Sequence, residues 1–516
     1  MTATIDEAAR HYAAGDLGQA ARACLDIIRS DPRHFDALHL LGVICTNRGQ
    51  HADGVSYLLR AAAMRPDDGR LQANLGAAYG AVQRFDKAVE AYQRAVASRH
   101  RDAGLLNNLG LALQGLGRRE TALETFRAAI ELDPMNNPAR YNLARARIAV
   151  FHLAEAEADF RLLQARLPPD TSADRIREVT NELARVVTDQ GRPEDALEIL
   201  RAASARQPDV VSFRWHEALV LLLLGRFKEG WPAYEARWDA PGHDRAPPDY
   251  RVLDLNLVAG RRVLVKEEQG RGDVIQFLRY IPLLAARGAR VRLSVYNDLI
   301  PLALEMADAE LVLGSDADQP EYDLLTAVMS LPLAFATDLT TIPARVPYLR
   351  APAGRVGRMR HHLGAVTGPR IGLVWSGSLA SQTRSAMPLA RLEPLLRRSG
   401  VEFHCLQKEI GAEDRVWLER SGFVTTHEAM LRDFGDTAAL IEAMDLVISI
   451  DTAVAHLAGA LAKPVWIMLP YNPDWRWLLG RDDSPWYPTA RLFRQPAPGD
   501  WDGVVRSVVN SFRPGA

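Results

Sequence analysis

Residues 448–470 read ISIDTAVAHLAGALAKPVWIMLP. The apolar run that includes Leu446, Val447 and Ile448 stops at Asp451-Thr452. A stretch rich in alanine and glycine follows at helical spacing, and a second apolar run begins after Pro464. Strand, helix and strand in so short a span make the repeating unit of a parallel sheet, whose neighbouring strands need a crossover between them. Asp451 and Thr452 then lie at the carboxyl edge of the first strand, where open parallel sheets bind their ligands. Thr452 and the first helical N–H groups can hold a diphosphate. Asp451 can accept bonds from hydroxyls or order the loop. His456, four residues after Thr452, faces the same side of the helix and can donate to a phosphate oxygen. The same residue types also suit a helix cap at Asp451 and a satisfied packing histidine at position 456.

Working outward, the second half of the chain alternates short β-rich runs with helical patterns. RVLVKEE (262–268), VRLSVY (291–296), AELVLG (309–314) and EYDLL (321–325) form one series. RIGLVWSG (370–377), VEFHCLQ (401–407), GFVTT (422–426), DLVISID (445–451) and KPVWIML (463–469) form a second, after a break at APAGRVGRMRHH. Two such series predict two Rossmann-like halves, 241–355 and 356–516, with a cleft between them. In the first half the strand runs into Gln269-Gly270-Arg271-Gly272-Asp273. Gly270 and Gly272 permit a tight turn and close backbone approach, and Asp273 stands where the loop becomes helix, either as an N-cap or as a group facing the cleft. In the second half Ser376 and Gly377 end one strand, Arg384 follows in the next loop, and Gln407 and Lys408 end another. Hydrogen-bonding and cationic groups at several strand ends are what a nucleotide diphosphate needs.

The first 240 residues have a different rhythm. Leu41-Gly42, Leu75-Gly76 and Leu109-Gly110 recur every 34 residues, and Leu143-Ala144 continues the series. Gly54, Ala88, Ala122 and Ala156 mark a second column, and Leu58, Tyr92, Phe126 and Phe160 a third. Each unit holds two amphipathic helices split by a polar turn. Small residues fall where helices must approach closely, and large apolar ones fill the groove beside them. The pattern resembles the tetratricopeptide repeat, so residues 1–240 are expected to form an all-α solenoid that holds a peptide or protein. One unit is longer, with a spacing of 40 residues from Pro168 to Pro208 and TSADRI as the expected insertion. The period stops at APGHDRAPPDY (240–250), a linker or domain entry.

The totals set bounds. A chain of 516 residues holds two or three domains. Its 48% hydrophobic and 24% charged residues are those of a soluble globular protein, and a net charge of −2 gives no global pull toward nucleic acid or membrane. Cys24, Cys45 and Cys405 fit neither a disulfide framework nor a zinc site. The N-terminus lacks the pattern of a signal peptide, and LVLLLLG (219–225) is too short to span a bilayer, so a cytoplasmic location with no membrane span is expected.

EEQGRGDVIQFLRYIPLL, LVWSGS, FHCLQ and DTAVAHLAGALAKPVW together resemble the heptosyltransferase-like family of GT-B glycosyltransferases. DWRWLLGRDDSPWYPTARLFRQ (474–495) resembles the C-terminal signature of bacterial proteins that join tetratricopeptide repeats to that catalytic domain, some of which modify flagellin. The architecture is also similar to the O-linked N-acetylglucosamine transferases. The resemblance implies an α plus α/β chain, a repeat solenoid followed by a GT-B fold, that moves a sugar from a nucleotide-sugar to a hydroxyl of a flagellin-like protein. It implies Asp273 as general base and Asp451, Thr452 and His456 as donor-binding residues. Arg384 and Lys408 would neutralise the leaving diphosphate, and Gln407 would meet the nucleoside. The lysine usual in heptosyltransferases is not evident in LASQTRSAMPL. No cofactor or metal is expected, since Asp316-Ala317-Asp318 reads as a chance match to a metal-binding triplet. A lipopolysaccharide glycosyltransferase and a non-catalytic scaffold are the alternatives. Trp475, Trp477 and Trp486 either stack on a ligand or pack the tail.

Overall fold

The structure, a computed structural model, describes residues 4–168, 171–240, 245–377 and 387–512. The chain divides into two compact units, residues 1–186 and 187–516.

The first unit is a run of antiparallel helix pairs. Three successive pairs are Gly69–Ala81 with Phe85–Ala97, Ala103–Gly115 with Arg119–Leu132, and Asn137–Ala149 with Leu153–Ala165. The leading helix of each pair is started by a side chain at the same repeat position. Asp68, Asp102 and Asn136 accept from the amides of Leu71, Leu105 and Ala139 at 2.9, 2.8 and 2.9 Å, which satisfies donors the helix leaves open. The columns seen in the sequence meet in space. A β-carbon added at Gly76 would stand 2.7 Å from the Tyr92 ring, and one at Gly110 2.5 Å from Phe126. Glycine is therefore required there by the aromatic ring of the second helix. The lengthened unit is resolved differently from expectation. Most of TSADRI lies inside a 17-residue helix, Ala173–Asp189, so the extra length is largely added helix rather than loop.

The first unit ends at 186, earlier than the boundary expected at 240. The reason is packing. The helices Val211–Leu223 and Phe227–Tyr234 and the turn Glu235–Asp239 place Trp215, Phe227, Trp231 and Tyr234 in one buried core with the first sheet and the tryptophan-rich tail.

That first sheet has strands β1 (Arg262–Lys266), β2 (Arg290–Val295), β3 (Leu311–Gly314) and β4 (Leu324–Ala327), all parallel, in the order β3-β2-β1-β4. The second sheet has β5 (Arg370–Val374), β6 (Glu402–Cys405), β7 (Val424–Thr425), β8 (Leu446–Ile450), β9 (Val465–Leu469) and β10 (Ala490–Arg494). They are parallel in the order β10-β9-β8-β5-β6-β7. Counted within the half, this is the Rossmann order 3-2-1-4-5-6, with its switch point between β5 and β8. The sequence pattern located nine of these strands. β10 was missed because ARLFR carries two arginines in five residues and lies inside the tail motif. Among the described residues no helix is long and apolar enough to cross a membrane.

A histidine chain crosses the second half. His362 Nε2 lies 3.3 Å from His427 Nδ1, and His427 Nε2 lies 3.1 Å from His404 Nδ1 on β6. Burial, then the charges of His404 and His362, push His427 down from 6.5 to about 4. Between those values the folded protein binds fewer protons than the unfolded chain. Stability from this group is therefore present above about pH 6.5 and lost as pH falls toward 4, by about 3 kcal/mol in all. Urea midpoints from pH 4 to 7 check it: the wild-type curve falls more steeply on acidification than that of His427→Gln. Parallel curves would show that His427 does not titrate in this way.

Candidate functional site

The two sheets bring their switch-point loops together. After β1 the chain passes through Glu267, Glu268 and Gln269 to Gly270, which caps the short helix Arg271–Phe277. After β8, Thr452 caps the helix Ala453–Ala460 without a side-chain bond of its own to the helix, and its hydroxyl lies 3.1 Å from Ser449 Oγ. The two helices touch at Gly272. A β-carbon there would stand 3.0 Å from His456 Cδ2 and 3.3 Å from the Ala453 α-carbon. The two motifs singled out in the sequence, one from each half, thus form one locus, and Gly272 is glycine because the second helix fills the place of a side chain.

Asp273 is the third residue of its helix rather than the N-cap. One carboxylate oxygen reaches back to the Gly270 N–H at 2.7 Å. The other forms an ion pair with Arg476. Arg476 is buried, donates from Nη1 to Asp474 at 2.8 Å and from Nε to Gln276 Oε1 at 2.7 Å, and lies 4.1 Å over the Trp475 ring. Burial pushes Asp273 up from the ordinary carboxylate value, against the pull of Arg476 and the Gly270 amide. Asp451 stands at the end of β8. Burial, then the charge of Asp474, pushes it up to about 7. Three carboxylates and one guanidinium share this region, so a proton is held more tightly here than at the surface.

His456 differs from expectation. It is buried, its Nδ1 bonds with the Tyr487 hydroxyl at 2.9 Å, and its ring stacks on Trp477 with centroids 5.2 Å apart. Its Nε2 faces Asp451 Oδ1 at 3.7 Å. Burial holds it neutral, far below its ordinary pKa. It is therefore held in the tail by Tyr487 and Trp477 and brings no positive charge to a phosphate. Gln407 is also committed elsewhere. Its Oε1 accepts from the amides of Trp375 and Ser376 at 2.6 and 3.1 Å, and its Nε2 donates to Ser376 Oγ at 2.8 Å and to the Glu409 carbonyl at 3.2 Å. Gln407 shapes the end of β5 and has no group left for a nucleoside. Lys408 is exposed and donates to the Arg432 carbonyl at 2.9 Å. Ser376 and Gly377 end the described part of the β5 loop, and Arg384 lies outside the described residues. In the first sheet's loops, Asp316 is held by Asn297 Nδ2 at 3.0 Å.

Trp475, Trp477 and Trp486 are all buried, so the tail packs. The residues missed in the sequence flank Trp475. Arg476 and Asp474 were overshadowed by the rings, although a charged pair inside so apolar a stretch signals a buried ion pair. Also missed were Asn74, Asn108 and Asn142, which precede the repeated leucines at the 34-residue period. Asn142 Nδ2 donates to Asn107 at 2.8 Å and Asn74 Nδ2 pairs with His39 at 2.8 Å, which lines polar groups along successive leading helices.

Comparison with known proteins agrees with the helical reading. Tetratricopeptide-repeat family patterns match residues 5–69 and 181–249, 69–99 and 103–136. The chain carries tetratricopeptide repeats. Protein FlbA of Caulobacter vibrioides (strain ATCC 19089 / CIP 103742 / CB 15) is 27% identical over 531 residues, spanning 96% of this chain and 87% of the relative. Among solved structures, YrrB, described as a TPR protein with an unusual peptide-binding site, is 18% identical, covers 37% of this chain and 96% of its own, and has a TM-score of 0.32. PilF of Pseudomonas aeruginosa is 15% identical, with 42% and 95% covered and a TM-score of 0.35.

Proposed function

We propose that this chain is a metal-independent GT-B glycosyltransferase that moves a sugar from a nucleotide-sugar to a hydroxyl of a protein held by its repeats, and that it acts in the cytoplasm. The observation that carries the reading is the meeting of the Gly270–Asp273 loop with the Asp451–His456 helix at Gly272, which unites the switch-point loops of two parallel sheets. Asp273, oriented by the Gly270 amide and Arg476, takes the acceptor proton as the acceptor oxygen bonds to the anomeric carbon. The bond from that carbon to the diphosphate breaks, and the nucleotide leaves with the electron pair. Thr452 and the helix start behind it, with Lys408 and Arg384, stabilise the leaving charge. Asp451, at the end of β8, binds sugar hydroxyls. Two things support a protein acceptor. The repeats themselves fit one, and three successive leading helices carry an asparagine at the same repeat position, Asn74, Asn108 and Asn142, whose amide can both donate to and accept from an extended backbone. A flagellin-like acceptor is what the family resemblance suggests.

A thermal-shift panel of nucleotides and nucleotide-sugars, with and without EDTA, tests the donor site. One nucleotide class should raise the melting temperature as though adding about 2.7 kcal/mol at a hundredfold excess over its Kd. The shift should survive EDTA and shrink in Thr452→Ala. No responder at millimolar concentration would remove the donor site and leave a protein-binding scaffold.

A further inference from the structure

The last helical pair of the repeat array does more than end it. Its two helices lie against the candidate site from behind. The Trp231 ring meets Trp475 edge-on with centroids 5.3 Å apart, and its Nε1 donates to the Thr337 carbonyl at 3.0 Å. Tyr234 packs on Trp215 at 4.7 Å and on Trp475 at 6.3 Å. Trp475 in turn lies under Arg476, the ion-pair partner of Asp273.

A polar chain runs in parallel. Arg237, in the turn after the helices, is 1% exposed. It forks onto both oxygens of Glu268 at 2.9 Å each, donates to Glu235 at 2.7 Å, and reaches Ser330 Oγ at 2.7 Å. Glu268 also accepts the Met329 amide at 3.0 Å. One residue further on, the Gln269 side chain exchanges bonds with the Tyr234 hydroxyl at 2.9 and 3.1 Å. Gln269 has φ 61, a left-handed conformation unusual for a residue with a β-carbon. The Tyr296 hydroxyl donates to its carbonyl at 2.5 Å. The next residue is Gly270, whose amide fixes Asp273. Two consecutive residues between β1 and that amide are therefore held by the terminal repeat through side-chain bonds.

We infer that Tyr234 and Arg237 of the terminal repeat are positioning residues for Asp273, so that this repeat is a working part of the active centre rather than the end of a carrier arm. The inference rests on the glycosyltransferase reading for its consequence, and on the bonds to Glu268 and Gln269 for its geometry. Arginine is needed because its planar fork spans both Glu268 oxygens while a third nitrogen meets Glu235; lysine supplies one point charge in its place. The tyrosine hydroxyl offsets the unfavourable backbone of Gln269. Without these bonds the loop relaxes, and a shift of about 1 Å at a base costs roughly a hundredfold in rate.

Two full-length variants test this, Tyr234→Phe and Arg237→Lys. The first deletes one oxygen and keeps the ring packing, so it folds even if the second does not. Hydrogen–deuterium exchange of the 267–275 segment should quicken at least tenfold in Tyr234→Phe, while β8 stays as protected as in wild type. In transfer assays kcat should fall at least tenfold with donor KM unchanged. Wild-type exchange of 267–275 in Tyr234→Phe would overturn the inference, and so would an unchanged kcat. Exchange reads the loop without turnover, so a wild type that transfers no sugar refutes the proposed function alone.

Discussion

Asp273→Asn lowers the rate of sugar transfer by roughly 10²- to 10⁴-fold, the span that a positioned general base contributes. The asparagine can still accept the Gly270 N–H, so the helix start survives. It cannot take a proton, and its amide turns an N–H₂ or a neutral oxygen toward Arg476, where a carboxylate stood. Binding of the donor should change little, because Thr452 and the loop after β5 lie on the other sheet. The expected signature is therefore a fall in kcat with donor affinity retained, read by steady-state kinetics beside the thermal-shift panel. A variant with near-wild-type kcat would remove Asp273 from the chemistry. It would leave the Asp273–Arg476 pair as a buried structural bridge, which is costly to break from one side but no evidence of catalysis.

Trp231→Ala destabilises the second unit by about 3–5 kcal/mol, the range for truncating a large buried aromatic. Trp231 is 2% exposed and touches Phe227, Tyr234, Phe277 and Trp475. Removing it opens a cavity between the last repeat and the first sheet and leaves the Thr337 carbonyl without its donor. The loss should appear in one transition of a urea melt, that of residues 187–516, while the transition of residues 1–186 keeps its midpoint. A shift confined to the first unit, or none, would show that the last helical pair belongs to the solenoid as the repeat period suggests.

That second prediction marks where sequence pattern and packing part company. Repeat columns are visible because a helix pair imposes them at fixed spacing: Gly76 and Gly110 face Tyr92 and Phe126 at the same offset. Parallel strands are visible because both faces are buried and the runs stay apolar. The period does not reveal which helices share a core. Val211–Leu223 and Phe227–Tyr234 keep the repeat pattern while burying their faces against a sheet that the pattern does not describe. Among the site residues, the loops after β1 and β8 were legible from glycine, aspartate and strand ends. The fates of His456 and Gln407 were not, because burial depends on Tyr487, Trp477 and Trp375, remote or unmarked in the sequence. Arg476 was hidden for the same reason, since its partner Asp273 lies some two hundred residues away.

The most direct test of the central claim is intact-mass spectrometry of proteins that copurify with the full chain. They would be incubated with the nucleotide-sugar that gives the thermal shift, and the released nucleotide measured in parallel. The account predicts a mass gain of one or more sugar residues on a bound protein, with matching nucleotide release, and neither in Asp273→Asn. A donor that binds while wild type yields no release and no mass gain would contradict it.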